Sequence, residues 1–253
     1  MTSEKTANPL RTAVNILSPI PLVVLVGAYF TGNLTVNPIQ AATQRAGDIA
    51  IIFLLLCLAC SPVNTLFDVP KVLKLRRPLG LWAFYYASLH MLSYVGLDYG
   101  FNFAFFNQDN ANKLYVYVGF ITLTLLSVLA FTSRRWWKVK LGKNWKKLHK
   151  LVYLAGAVAV VHLALVIKGN LLDLMGDLWK PIAAGSVLTV ALILRIPAVK
   201  AWVVSQRQKI RAARAPKQPF AAQPPDNLPG SATLDNSAAA GEVHGVEKAL
   251  KSE

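Results

Sequence analysis

The chain has 253 residues, of which 54% are hydrophobic and 15% charged, and 27 Lys and Arg against 12 Asp and Glu give a formal net charge of +15. The charges fall in blocks between apolar runs, a composition that belongs to a membrane protein and not to a water-exposed globule. Nucleic-acid binding is excluded on the same ground, because the basic residues sit in short loops and a tail and not on a folded soluble face.

Six apolar runs follow one another: about Ile16 to Phe30, Gly47 to Val63, Pro78 to Leu97, Leu114 to Thr132, Leu151 to Ile167, and Pro181 to Ile196. A helix needs about 20 residues to cross a bilayer core, so the first and last runs are expected to extend into their mixed flanks. The first has no clear small-residue cleavage site and more spans follow it, so it reads as an uncleaved anchor and not as a secretory signal. The predicted fold is all-α, an integral membrane bundle of six helices.

Lys and Arg counts set its orientation. Lys71, Lys74, Arg76 and Arg77 separate runs two and three; Arg134, Arg135, Lys138, Lys140, Lys143, Lys146, Lys147 and Lys150 separate runs four and five without an acid. Those loops, and with them both termini, are expected on the cytoplasmic side. Trp136, Trp137 and Trp145, interleaved with Lys in the second loop, suit an interfacial belt on the lipid bilayer. The remaining connections are close to neutral and offer Asp98, Asp109, Asp173 and Asp177 as docking charges on the outer side. Residues 200 to 215 mix Lys200, Arg207, Lys209, Arg211 and Arg214 with Trp202, Val203 and Ile210, the pattern of an amphipathic helix on the membrane surface. From about Ala215 the tail is too poor in large apolar residues to bury a core, and His244 within it carries no site role. No convincing internal repeat is visible.

The chemistry rests on the histidines. His90 lies twelve residues beyond Pro78 and His162 eleven beyond Leu151, which at about 1.5 Å per residue puts both roughly 16 to 18 Å deep, past the middle and toward the outer face. An imidazole at that depth is expensive unless something binds it. Two at matched depth on different helices can reach one metal from opposite sides, which is how a helix bundle holds haem; the bland alternative is a hydrogen bond to a neighbouring helix. No run has an Asp or Glu near its centre, which weakens a proton-relay reading. His149 precedes His162 by thirteen residues, a rise of about 19.5 Å, which places it at the cytoplasmic boundary with room for a second haem. On an ideal helix the two rings would point about 140° apart, so sharing one face requires tilt or local distortion. Cys57 and Cys60 lie inside the second run and read as small packing residues, not as an exposed redox pair.

The segments Arg77-Pro78-Leu79-Gly80-Leu81-Trp82-Ala83-Phe84, Ala87-Ser88-Leu89-His90 and Trp145-Lys146-Lys147-Leu148-His149-Lys150-Leu151-Val152-Tyr153, with His162 beyond, resemble the MsrQ family. MsrQ proteins, also called YedZ, are haem-binding membrane subunits of bacterial methionine sulfoxide reductase systems within the ferric-reductase-like transmembrane superfamily. The resemblance spans roughly residues 10 to 200, taken as one haem-binding domain, and leaves 201 to 253 as a basic, then disordered, tail. It implies one or two b-type haems with His90, His149 and His162 as axial ligand candidates, association with FMN, and a place in the bacterial inner membrane. It further implies electron delivery to MsrP, a periplasmic molybdopterin enzyme that repairs oxidised methionine. The superfamily often uses two histidines on each of two helices; here, thirteen and fourteen residues before His90, stand Arg77 and Arg76. Arginine is a poor metal ligand but pairs well with haem propionates, so Arg77 becomes a cofactor-binding candidate. The sequence holds no strand-turn-helix unit with a glycine fingerprint, so electrons are expected from the quinone pool or a separate flavin reductase, and the chain itself is expected to do no substrate chemistry. A free-standing ferric or quinone reductase, and a non-redox transporter or structural protein, are the alternatives.

Overall fold

The computed structural model describes residues 9–167 and 178–214, and every regular element among them is helical. Helices α1 (Pro9–Leu17) and α2 (Ile20–Phe30) form one apolar segment with a break at Ser18 and Pro19. The break has a visible cause. The hydroxyl of the fully buried Tyr86 donates to the Ser18 carbonyl at 2.7 Å and accepts from the Leu22 amide at 3.1 Å, so it stands between two groups that a regular helix would pair directly. The span reaches back to Pro9, beyond the apolar run read from the sequence.

Helix α3 (Pro38–Phe67) starts under an Asn37 cap on the Gln40 amide, with proline at its first position, and ends at Asp68 in the left-handed region, φ 57°, as capping preferences require. A 3-10 turn over Pro70–Leu75 leads into α4 (Arg76–Leu92), which continues as a π-helix, Ser93–Asp98. Then come α5 (Phe103–Asn110), α6 (Leu114–Phe131), α7 (Arg135–Leu141), α8 (Lys143–Leu148), α9 (Leu151–Val166), α10 (Trp179–Ile193) and α11 (Pro197–Arg214).

Four segments are long and apolar enough to cross a membrane: Pro9–Phe30, Pro38–Phe67, Leu114–Phe131 and Lys143–Val166; α10 and α11 make a fifth if that pair, bent by 80°, is one span. This count of four to five is coarser than the six expected. The difference lies in α4, whose 17 residues include two arginines in the first turn and which fills a bilayer only with its π-helical continuation, and in the bend between α10 and α11.

The core is built where α3, α4, α6, α9 and α10 meet, from Leu54, Leu58, Ala83, Leu126, Leu129, Ala155, Ala159 and Leu188. Ala83 and Ala155 are fully buried, and a Cβ on Gly156 would stand 2.8 Å from Leu58 Cδ1. Small residues at these crossings let the backbones approach closely, which is how apolar helices gain contact when burial from water supplies little between them. At the far end, α11 is tied to the end of α3: Arg207 and Arg211 pair with Asp68 at 3.4 and 2.9 Å, and Arg207 donates to the Thr65 carbonyl at 3.1 Å. Cations at that helix C-terminus meet the negative end of its dipole. The basic segment expected to lie on the membrane surface is thus helical from Pro197, with Trp202 and Ile210 exposed. Asp173, Asp177 and His244 lie outside the described residues.

Candidate cofactor site between two histidines

Helices α4 and α9 carry His90 and His162 to one level, with ring centres 6.2 Å apart and ring planes 77° apart. Each ring is held in the same way. His90 Nδ1 lies 2.8 Å from the Thr43 carbonyl and His162 Nδ1 2.8 Å from the Tyr115 carbonyl. A carbonyl only accepts, so each Nδ1 carries the proton and each Nε2 keeps its lone pair, the tautomer a metal-ligating imidazole requires. Beneath each ring lies a glycine four residues beyond the accepting carbonyl. A Cβ on Gly47 would meet His90 Nδ1 at 3.0 Å, and one on Gly119 would meet His162 Cε1 at 2.9 Å. The rings therefore sit against bare backbone, in cradles that an added methyl would fill.

This geometry fits a metal gripped from both sides. Metal–imidazole bonds of about 2 Å on opposite faces put the two ring centres about 6.3 Å apart. Among the described residues no third His, Cys, Asp or Glu joins the pair to complete a metal shell. The remaining positions would have to come from a prosthetic group that brings its own equatorial ligands, and a haem does so.

The chain matches the ferric reductase like transmembrane component family over residues 46–160, the stretch that holds Gly47, His90, Gly119 and His149. It is 38% identical over 208 residues to a Rhodospirillum rubrum protein named "Protein-methionine-sulfoxide reductase heme-binding subunit MsrQ", covering 81% of this chain and 93% of that one. The chain belongs to the MsrQ family. Proteins of the same name from Bordetella pertussis, 37% identical over 66% of this chain and 78% of theirs, and from Brucella anthropi, 36% identical over 65% and 76%, are similar to it as well.

The third histidine of this MsrQ-family chain stands apart from the other two. The break between α8 and α9 falls at His149, which caps α8. Its ring stacks on Trp145 with centres 4.0 Å apart, its Nδ1 donates to the Trp145 carbonyl at 3.2 Å, and its Nε2 is buried with no partner. A buried imidazole nitrogen without a hydrogen bond is costly; on all three histidines it is Nδ1 that is committed to a backbone carbonyl. If His149 holds a second haem through Nε2, His149→Ala lowers the haem content by one per chain and leaves the low-spin signal of the His90–His162 pair intact; equal haem content in both proteins returns His149 to a packing role.

Arg77 makes no hydrogen bond to these histidines. It is exposed and lines a cavity of about 350 Å³ with Arg11, Asn15, Trp82 and Tyr85, among others. Its neighbour Arg76 is the one that reaches α9, donating to the Tyr153 hydroxyl at 3.0 Å. Cys57 and Cys60 are buried free thiols that donate to the Arg76 and Leu56 carbonyls, consistent with packing. Asp109, one of the candidate docking charges, is engaged within the chain: Lys113 pairs with it at 2.6 Å and the Tyr99 hydroxyl donates to it. Those two contacts, Lys113 first, hold its carboxyl below the usual range.

The residues that sequence reasoning missed are Thr43, Gly47, Tyr115 and Gly119. A signal for them existed. A shift of 72 residues carries Thr43 to Tyr115, Gly47 to Gly119, Leu54 to Leu126, Ala83 to Ala155 and His90 to His162. The two cradles and their histidines thus recur at one spacing along the chain. The same shift carries Arg77 to His149, so the second half keeps an imidazole where the first has a guanidinium.

Proposed function

We propose that the protein is a membrane electron-transfer subunit holding a b-type haem between His90 and His162, as part of a methionine sulfoxide reductase system. The observation that carries this reading is the pair of imidazoles, ring centres 6.2 Å apart, with both Nδ1 protons committed to carbonyls. The haem, when bound, supplies one-electron redox chemistry; His90 and His162 hold it, and the Thr43 and Tyr115 carbonyls orient and enrich the rings. Under this reading residues 10 to 200 are a six-helix inner-membrane unit with both termini cytoplasmic and a tail over 201 to 253, and His149 takes a second haem on the cytoplasmic side.

Electrons arrive from quinol or a flavin reductase and leave on the periplasmic side to a molybdopterin reductase of the MsrP type. An aromatic series supports the exit: Phe120, next to Gly119, lies 6.2 Å from Phe106, which lies 5.1 Å from Tyr99, itself 5.6 Å from the exposed Phe105. FMN rests on the family resemblance; the cavity of Arg11, Asn15, Arg77 and Trp82 offers guanidiniums for its phosphate and an indole for its ring.

The test uses sealed vesicles of known orientation with reduced protein and the periplasmic enzyme added to one side at a time. Haem oxidation is expected only from the side opposite the basic segment 133–150. Oxidation from the basic side alone overturns the direction, and a purified chain with no haem spectrum overturns the function.

A further inference from the structure

Tyr153, four residues beyond His149, holds two guanidiniums at once. Arg76 donates to its hydroxyl at 3.0 Å, and the Arg195 guanidinium lies 4.1 Å from its ring centre. Arg76 and Tyr153 are half-buried, and the Arg76 backbone is pinned by the Cys57 thiol at 3.1 Å. Two cations drawn to one ring repel each other, and an anion between them would relieve that repulsion, most of all for the half-buried Arg76.

The chain does not supply that anion from its described residues. Their acids are Asp48, Asp68, Asp98 and Asp109. Asp48 pairs with Lys180, Asp68 with Arg207 and Arg211, and Asp109 with Lys113. Asp98 closes the π-helix at the end of the rod opposite Arg76. Arg76 also sits in the first turn of α4, where the helix dipole favours negative charge and opposes a cation. A bound anion would resolve both conflicts.

We propose that Arg76, Tyr153 and Arg195 form a receptor for an oxyanion, a carboxylate or phosphate carried by a membrane-borne amphiphile. The guanidiniums have several N–H donors left for it, and a fork of this kind grips either group through paired charge-assisted hydrogen bonds. Tyr153 acts as a positioning residue: its hydroxyl aims Arg76 and its ring face holds Arg195. Two sources carry such a group here, a propionate of a haem at His149 and the phosphate of an anionic phospholipid. The first rests on the function proposed above; the second does not.

The experiment takes the full chain in nanodiscs of phosphatidylcholine with and without phosphatidylglycerol, as wild type, Arg195→Gln, Arg76→Gln/Arg195→Gln, and Arg195→Lys. Haem release to apomyoglobin, haem midpoint potentials and phosphatidylglycerol retained in native mass spectra are measured on each. If the anion is a propionate, the double variant releases one haem about tenfold faster or more and lowers its potential, while the His90–His162 signal and lipid retention hold. If it is a phospholipid phosphate, phosphatidylglycerol retention falls by a similar factor with both haem readouts unchanged. In either case Arg195→Lys, which keeps the charge, loses less than Arg195→Gln. Arg195 is exposed, so its single variants keep the test alive if the double variant does not fold. A wild-type chain without haem sinks the haem reading alone and leaves the lipid arm to decide. Unchanged haem release, potential and phosphatidylglycerol retention in the Gln variants overturn the proposal.

Discussion

His90→Ala or His162→Ala is expected to abolish the low-spin haem spectrum, with a loss of about one haem per chain. Each ring offers one Nε2 to one side of the site, and the ring of the other helix cannot serve both sides at once. The two rings do not substitute for one another, because each is tethered to its own carbonyl, Thr43 or Tyr115, at 2.8 Å. The wild type should also show a strongly anisotropic low-spin ferric signal in electron paramagnetic resonance, since the ring planes stand 77° apart and near-perpendicular axial imidazoles leave the iron orbitals nearly degenerate. Optical spectra in the oxidised and dithionite-reduced states, with haem quantified per chain, check the first outcome. Low-spin haem fully retained in both single variants would contradict the pairing.

The meeting of these two rings was legible in the sequence because depth in a helix is a matter of counting. Entry points at Pro78 and Leu151 put His90 and His162 at one level, and only two neighbouring helices were needed to bring them together. Their supports were harder to see. The accepting groups at Thr43 and Tyr115 are backbone carbonyls, which every residue has, so no side-chain pattern announces them. Gly47 and Gly119 do carry a signal, each 43 residues before its histidine, but it is lost among the other glycines unless the two halves are laid on one another. Spacing places His149 on one continuous helix with His162; in the structure α8 ends there instead, and the ring stacks on Trp145 one turn back. Arg77 drew attention by its spacing, yet it is Arg76, one residue and about 100° further round the helix, that meets Tyr153. The fold was legible in the same measure. Hydropathy locates apolar runs, but the α1–α2 break depends on Tyr86, a residue 64 positions from Leu22, and the 80° bend between α10 and α11 leaves no mark in a hydropathy count.

Substitution of the two glycines should separate a cradle built for the histidines from an incidental gap. At an ordinary helical site Gly→Ala stabilises by up to about 1 kcal/mol, and Gly27, with nothing within 4 Å of an added Cβ, should follow that rule. Gly119→Ala should do the opposite. Its Cβ would stand 2.9 Å from His162 Cε1 and 3.2 Å from Nδ1, and the ring cannot yield without stretching its bond to the Tyr115 carbonyl. Overpacking of this kind costs about 1–3 kcal/mol, which at about 1.4 kcal/mol per tenfold is roughly five- to more than a hundredfold in cofactor affinity. Gly47→Ala acts on His90 through contacts of 3.0 and 3.2 Å and should produce a milder shift of the same sign. Leucine at either position leaves no room for the ring and should eliminate low-spin haem altogether, matching the histidine variants. The measurements are haem retention during purification and the ferric resonance signal, whose anisotropy follows the angle between the rings and so responds to a tilt too small to cost binding. Gly119→Ala with retention and signal indistinguishable from Gly27→Ala would mean that the ring does not rest against that backbone, and that the pairing of His90 with His162 is held by something other than the two cradles.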